Sequence, residues 1–416
     1  MSTQQLMDVK VPMDDDNPAV VFNEELCIEC AACRHSCETD ASANSNIQPT
    51  CVHCGQCAIV CPSAAITERY DYAEVKKAIA DSGKIVIFNI APAVKVSLGE
   101  EFGMSGGTFS EDRIVAALRK MGADYVLDVS FSADLTVLEE ADELIMRISD
   151  IAEPDTRILP LFTSCCSSWV QYVETFYPEL ISYVSSLKSP IATQGVMVKT
   201  YFAKKHGISP GKIINVAIAP CTAKKYEIRR EDVEGTDYVL TARELARWIK
   251  EEGINFNDLK TSTYDKLMGA ASGAGIIFGN TGGVTEAVLR TVYCKMTGKT
   301  PGNDYLIFKA ARGMDGIKVS TVEIIGKKIH TAVVHGLDNA KEIIENILNG
   351  ENTYDFVEVM ACRGGCIGGG GQPRTVVPTD DNLRKSRIES LYKKDSNSKL
   401  RSSHQNLEIE EAKKDL

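Results

Sequence analysis

Residues 213–221 read Ile213-Ile214-Asn215-Val216-Ala217-Ile218-Ala219-Pro220-Cys221. A short, almost continuously apolar run that stops at Pro and Cys reads as a buried strand delivering a loop. The same punctuation recurs three more times. Lys84–Ile90 runs into Ala91-Pro92-Ala93, Arg157–Phe162 into Thr163-Ser164-Cys165-Cys166, and Phe356–Met360 into Ala361-Cys362-Arg363-Gly364-Gly365-Cys366. Helical patterns separate these runs at Asp71–Asp81, Glu111–Met121, Ala133–Ile151 and Thr241–Glu252, with a further strand at Tyr125–Val129. Strands alternating with helices build βαβ units. The expected fold class is an α/β catalytic domain with parallel sheets flanked by helices. Ligands of such sheets bind at the carboxyl ends of the strands, so the four loops are expected to converge on one site.

Composition narrows the function. The chain has 416 residues, of which 44% are hydrophobic and 25% charged. That is an ordinary globular balance, with enough apolar material for a large core and a soft prior of two to three domains. Lys plus Arg is 46 against 57 for Asp plus Glu, a net charge of −11, which argues against nucleic-acid binding. Met1–Asp16 is polar and acidic with no apolar export signal, and no run approaches the roughly 20 apolar residues of a spanning helix. A cytoplasmic, membrane-free protein is expected. The 14 cysteines therefore point to metal binding or catalysis rather than disulfides.

Eight of them lie in residues 23–62. Cys27, Cys30, Cys33 and Cys37 follow C-x₂-C-x₂-C-x₃-C, and Cys51, Cys54, Cys57 and Cys61 repeat it before Pro62. This is the spacing of two-cluster ferredoxins, in which the fourth Cys of each run serves the other cluster. Cys27, Cys30, Cys33 and Cys61 are expected to hold one [4Fe–4S] cube, and Cys51, Cys54, Cys57 and Cys37 the second. Two zinc knuckles are the competing reading, but zinc sites use C-x₂-C pairs rather than a duplicated run.

Cys165, Cys166, Cys221, Cys294, Cys362 and Cys366 remain. Cys294 lies in a helical stretch, Glu286–Met296, and reads as plain core. The other five sit in the strand-end loops. Buried free cysteines are common, but together these five favour a third iron–sulfur site. Their contexts carry a resemblance. Thr163-Ser164-Cys165-Cys166-Ser167-Ser168-Trp169 resembles the first signature of the [FeFe]-hydrogenases. Ala219-Pro220-Cys221-Thr222-Ala223-Lys224-Lys225-Tyr226-Glu227 resembles the second, and Glu358–Pro373, with Gly368–Gly371, the third. The tail around Arg384–Arg401 resembles the family's C-terminal segment.

The resemblance implies an H-cluster: a [4Fe–4S] cube joined to a diiron unit carrying CO, CN⁻ and an azadithiolate. It implies Cys166, Cys221, Cys362 and Cys366 as ligands of the cube, with Cys366 bridging to the diiron unit. Cys165 would be the free thiol, and Lys224 would hydrogen-bond an iron-bound cyanide. The Ala91-Pro92 backbone would approach another cyanide, and Phe278 and Met360 would wall the diiron unit. Without the resemblance Lys224 reads as a solvated lysine, and the four glycines as a flexible loop. Glu140, Glu143 and Arg147 fall on one flank of the helix Ala133–Ile151, which by pattern alone is an exposed, salt-bridged face. The resemblance makes them a proton relay from solvent past Arg147, Glu143, Ser185 and Glu140 to Cys165. Some positions depart from the family. Ser167-Ser168 replace Pro-Gly, Ala219 a Met, and Ile191 a Gln, and Thr285 and Arg363 also differ.

The expected organisation is an acidic leader of little structure (1–22), a small α+β ferredoxin-like domain (23–70), the H-cluster domain (71–378) and a wrapping or disordered C-terminal segment (379–416). The resemblance implies reversible proton reduction and H₂ oxidation, with electrons relayed through two cubes to a ferredoxin-like carrier and with maturation enzymes installing the diiron unit. The rivals are a slow H₂ sensor, an iron–sulfur assembly or scaffold protein, and an electron-bifurcating subunit. Scaffold relatives typically lose the free thiol and the lysine, which are present here.

Overall fold

The computed structural model describes residues 13–39, 50–149, 158–351, 353–374 and 380–415. The expected leader up to residue 12, the start of a strand at Arg157, the helix end at Ile151 and residue 379 lie outside them. In chain order the strands are β1 (Val20–Phe22), β2 (Ile66–Glu68), β3 (Ile85–Ile90), β4 (Tyr125–Asp128), β5 (Leu161–Phe162), β6 (Ile213–Ala219), β7 (Tyr238–Thr241), β8 (Ile317–Ile324), β9 (Lys327–His335) and β10 (Phe356–Met360).

One sheet has the order β4-β3-β6-β7 and is parallel throughout. Its central strands β3 and β6 are Ile- and Val-rich because both faces are covered by helices. Val86, Phe88 and Ile90 pack on one side with Leu118, Leu245 and Trp248, and Ile87 and Leu127 on the other with Phe131, Val198 and Phe202. The second sheet has the order β5-β10-β9-β8. Here β5, β10 and β9 are parallel, and β8 is an antiparallel edge joined to β9 by a hairpin. Its turn, Ile325-Gly326, has φ of 49° and 74°, the left-handed pair that suits a two-residue hairpin. The sequence reading had no strand there. The α/β class with parallel sheets and flanking helices is what the structure shows.

Three expectations change. The helix expected from Ala133 spans Val129–Ile148, one turn earlier, because the Asp128 side chain caps it by accepting from Ser130 N. The leader is not structureless up to residue 22. β1 pairs antiparallel with β2, and the Asn17 side chain accepts from Ala19 N and Val20 N to set the strand's start. Cys294 is half-buried rather than core, since it lies near the end of its helix, Gly283–Thr297.

The C-terminal segment wraps. In the helix Asp381–Ser396, Ile388 and Leu391 pack on Ala93, Val96 and Ile367, and the buried Arg387 pairs with Glu100. Ile409 and Ala412 of the helix Leu407–Asp415 pack near Phe131 and Leu138. Arg290 bonds both oxygens of Asp395 at 2.9 Å, stitching the segment to the helix Gly283–Thr297.

Candidate metal and proton-transfer site

The four loops leave the carboxyl ends of β3 and β6 in one sheet and of β5 and β10 in the other, so the site lies between two sheets. Pairing of Leu161 with Phe356 and of Phe162 with Val357 sets Thr163–Cys166 beside Met360–Cys362. The Ala361 N–H donates to Cys166 Sγ at 3.4 Å. Thr222, next to Cys221, donates from Oγ1 to the His53 carbonyl at 2.7 Å. Cys366 follows Gly364 and Gly365, whose φ values are 79° and 87°. A Cβ on Gly365 would lie 2.5 Å from the Thr281 N, so only glycine serves there.

Cys166, Cys221, Cys362 and Cys366 come within electrostatic range of one another. Burial first, then Cys166, pushes the Cys221 thiol up to about 11. Burial, then Cys221, Cys166 and Cys366, pushes Cys362 well above the usual thiol range. Thiols held toward their neutral form in a buried space become thiolates when a metal centre binds among them, releasing their protons. Among the described residues no three His, Cys, Asp or Glu side chains converge tightly enough to hold a single metal ion. Four cysteines brought in by three separate loops are a donor set of the kind that iron–sulfur cubes use.

Beside this group is a cavity of about 60 Å³ with a nearly wholly apolar lining. Ala91, Pro92, Cys165, Lys224, Phe278 and Met360 all line it, as do Cys221, Cys366 and Ile191. The Lys224 Nζ donates to both Glu227 carboxylate oxygens at 2.9 Å and to the Cys165 carbonyl at 3.1 Å. Burial is the largest single influence and would lower its pKa, but the Glu227 charge and hydrogen bonds together with Cys221 and Cys166 outweigh it and raise it. A charged ammonium at the edge of an apolar cavity is a strong donor to an anionic ligand. Lys224 is therefore not the solvated lysine that its loop context alone had allowed.

Arg147 donates from Nη2 to Glu143 Oε1 at 2.7 Å, and Ser185 Oγ donates to Glu143 Oε2 at 2.6 Å. The exposed-face alternative fails here, because Arg147 and Ser185 are buried and Glu140 is fully buried. Neither Glu140 oxygen has a hydrogen-bond partner. Burial, then the charges of Glu143 and Glu358, hold this carboxyl well above the usual range. Burial, then Glu140, pushes the Cys165 thiol well up too. Two buried groups, each held toward its neutral form and close enough to perturb each other, suit proton exchange.

In the N-terminal part Cys27, Cys30, Cys33 and Cys61 line one cavity of about 460 Å³. Cys57 is pushed well up by burial, then by Cys51, Cys37 and Cys33, and Cys54 by burial, then by Cys362, Cys57 and Cys37. Cys54 thus lies within electrostatic range of Cys362 across the junction. Gln56 Nε2 donates to the Gly368 carbonyl at 2.9 Å. A Cβ on Gly370 would lie 2.0 Å from the Cys54 carbonyl oxygen, and one on Gly369 2.4 Å from that of Pro220. The glycine run is therefore a backbone-on-backbone junction, not a flexible loop.

Some participants were not singled out from sequence. Glu227 follows Lys224 by three residues in the helix Ala223–Glu227, the spacing of an intrahelical pair. Glu358 accepts from Gly282 N and Thr285 N at the start of the helix Gly283–Thr297, and from the departing residue Thr285 Oγ1. Nothing local in the sequence announces that contact. The departures Ala219 and Ile191 share one apolar cluster. Arg363 pairs with Asp381. Ser168 Oγ is buried without a partner, and nothing in the structure explains it.

The family profile described as iron only hydrogenase large subunit, C-terminal domain, matches residues 84–370, and that of the iron hydrogenase small subunit matches residues 381–412. The chain is 40% identical to the NADP-reducing hydrogenase subunit of Solidesulfovibrio fructosivorans, over 94% of this chain and 70% of that one. It is 41% identical to iron hydrogenase 1 of Clostridium pasteurianum, over 83% of this chain but 60% of that relative's length. A solved [FeFe]-hydrogenase structure from Chlamydomonas reinhardtii superposes with a TM-score of 0.70 at 38% identity, covering 82% and 93% of the two chains. A more distant likeness, 28% identical over 92% of this chain and 81% of the other, is to a cytosolic Fe-S cluster assembly factor of Xenopus tropicalis.

Proposed function

The chain belongs to the iron-only, or [FeFe], hydrogenase family, and we propose that it interconverts protons and H₂ at an H-cluster. The observation that carries this reading is the company kept in one apolar cavity: a neutral buried thiol, a charged buried ammonium and the cysteines expected to hold a cube. Cys166, Cys221, Cys362 and Cys366 would hold the cube, and Cys366 would also bridge to the diiron unit. Lys224 and the Ala91-Pro92 turn would grip its cyanides, and Phe278 and Met360 would exclude water. When bound, the group would supply redox-active iron and an amine base. Cys165 holds a proton at the cavity wall. Glu140 resupplies that proton from the hydrogen-bonded set Glu143, Ser185 and Arg147.

Electrons would pass along two further cubes, one on Cys27, Cys30, Cys33 and Cys61 and one on Cys37, Cys51, Cys54 and Cys57. The junction at Gly370 supports the second cube as the neighbour of the H-cluster. Residues 23–70, joined by β1, would be the relay unit, residues 71–378 the catalytic unit and residues 379–416 its wrap. A ferredoxin-like carrier would exchange the electrons, and maturation enzymes would install the diiron unit. Among the described residues no helix is long and apolar enough to cross a membrane.

A second reading, an iron–sulfur assembly role, is favoured by the likeness to the Xenopus factor. Anaerobic maturation followed by infrared spectroscopy separates the readings. Iron-bound CO and CN⁻ bands with H₂ evolution from reduced viologen support the enzyme. Bands with negligible turnover would indicate a sensor, and no bands after verified maturation an assembly protein.

A further inference from the structure

We propose that Ser167 is a positioning residue for Lys224: its hydroxyl completes the hydrogen-bond shell of Glu227 and so fixes the ammonium at the edge of the apolar cavity. This deepens the reading of that cavity as a diiron pocket and rests on it.

Glu227 is buried, and each of its oxygens has two donors. Oε1 accepts from Ser167 Oγ and from Lys224 Nζ, both at 2.9 Å. Oε2 accepts from Ser189 Oγ and from Lys224 Nζ, again at 2.9 Å. A carboxylate offers about four acceptor sites, so this one is filled. Each serine opens a different helix. Ser167 is the first residue of Ser167–Phe176, and Ser189 caps Pro190–Met197. Glu227 thus ties three helices together, and Lys224 stands on the tie.

The residue type at 167 is the informative part. The first position of a helix favours proline, whose missing N–H would have had no partner there. Proline would suit the backbone at 167 but would leave Glu227 Oε1 without one donor. Serine gives up that preorganisation and supplies the hydroxyl. The need is clear from the other side. Ser167 and Glu227 line a second cavity, of about 420 Å³, which the exposed ion pair Lys188–Asp232 also borders. The Ser167 hydroxyl occupies the Glu227 acceptor site that water from this cavity would otherwise take. Water there would compete with Lys224 for the carboxylate and release the ammonium from its place above the Cys165 carbonyl.

The test compares Ser167→Ala, Ser167→Pro and Ser167→Thr with wild type. First, the protein carrying its cubes but not yet matured is treated with an acetylating reagent, and Lys224 modification is followed by mass spectrometry. Ala and Pro are expected to raise the labelling rate about three- to tenfold, the range a lost hydrogen bond gives, and Thr to restore it. Second, after maturation, Ala and Pro should shift the cyanide bands while Thr returns them. Wild-type labelling and unmoved bands in both Ala and Pro would overturn the proposal. Should Ala fail to fold, Pro, which suits the helix start, carries the same comparison. Absence of CO and CN⁻ bands from wild type itself would sink the hydrogenase reading, while the labelling arm would still decide the role of Ser167.

Discussion

Replacing Glu140 by Gln separates proton transfer from structure. Glu140 is fully buried in the helix Val129–Ile148, and neither oxygen has a partner, so an amide of similar size removes no existing hydrogen bond. Burial, then Glu143 and Glu358, keep the carboxyl protonated above its ordinary value of 4.5. It can therefore both give and accept a proton, which an amide cannot. Positioned acid–base groups contribute about 10²–10⁴-fold, so matured Glu140→Gln should evolve H₂ from reduced viologen at ~1% of the wild-type rate or less. Iron content and infrared bands should stay the same. Stability should move the other way. Above the ordinary value the folded chain holds a proton that the unfolded chain has released. Wild-type stability therefore falls as pH rises, by up to ~1.4 kcal/mol per pH unit, until the folded-state pKa is passed. The Gln variant lacks this slope. Urea unfolding of both proteins at a series of pH values rising from 4.5 should show wild type losing ground to the variant as pH increases. Near-wild-type turnover, or a wild type that gains on the variant with rising pH, would refute the role given to Glu140.

Cys165→Ala should nearly abolish H₂ evolution while the CO and CN⁻ bands persist; unchanged turnover would remove the thiol from the mechanism. His335 is held down to about 4 from 6.5, by burial first and then by the Lys318 charge. Between those values the unfolded chain binds the extra proton, so about 3 kcal/mol of stability present above the upper value is lost as pH falls toward the lower one. Melting curves across this range should flatten in His335→Gln. Arg290→Met removes the cation that Asp395 and Glu286 share, leaving Asp395 with Arg401 alone and Glu286 with Arg312 alone. Leaving a buried charge wholly uncompensated costs about 3–5 kcal/mol; with one arginine kept on each carboxylate, denaturant unfolding should shift by up to about 3 kcal/mol, and limited proteolysis should cut first near the helix Asp381–Ser396.

The residues alone determined a good deal. Cysteine spacing carried the expectation of cubes, because three thiols two residues apart can wrap one face of a cluster, and that pattern is local. Apolar runs ending in Pro or Cys announced β3, β5, β6 and β10 and the parallel class, because burial on both faces and the breaking of a strand are written in neighbouring residues. Only the tertiary structure decided which distant groups share a space. That Glu140 has no partner, that Glu227 is saturated by serines from two other helices, that Glu358 caps a helix 76 residues away in sequence and that Gly370 rests on Cys54 are all packing facts. No local pattern encodes them, since each depends on two sheets and a C-terminal wrap coming together around one buried space.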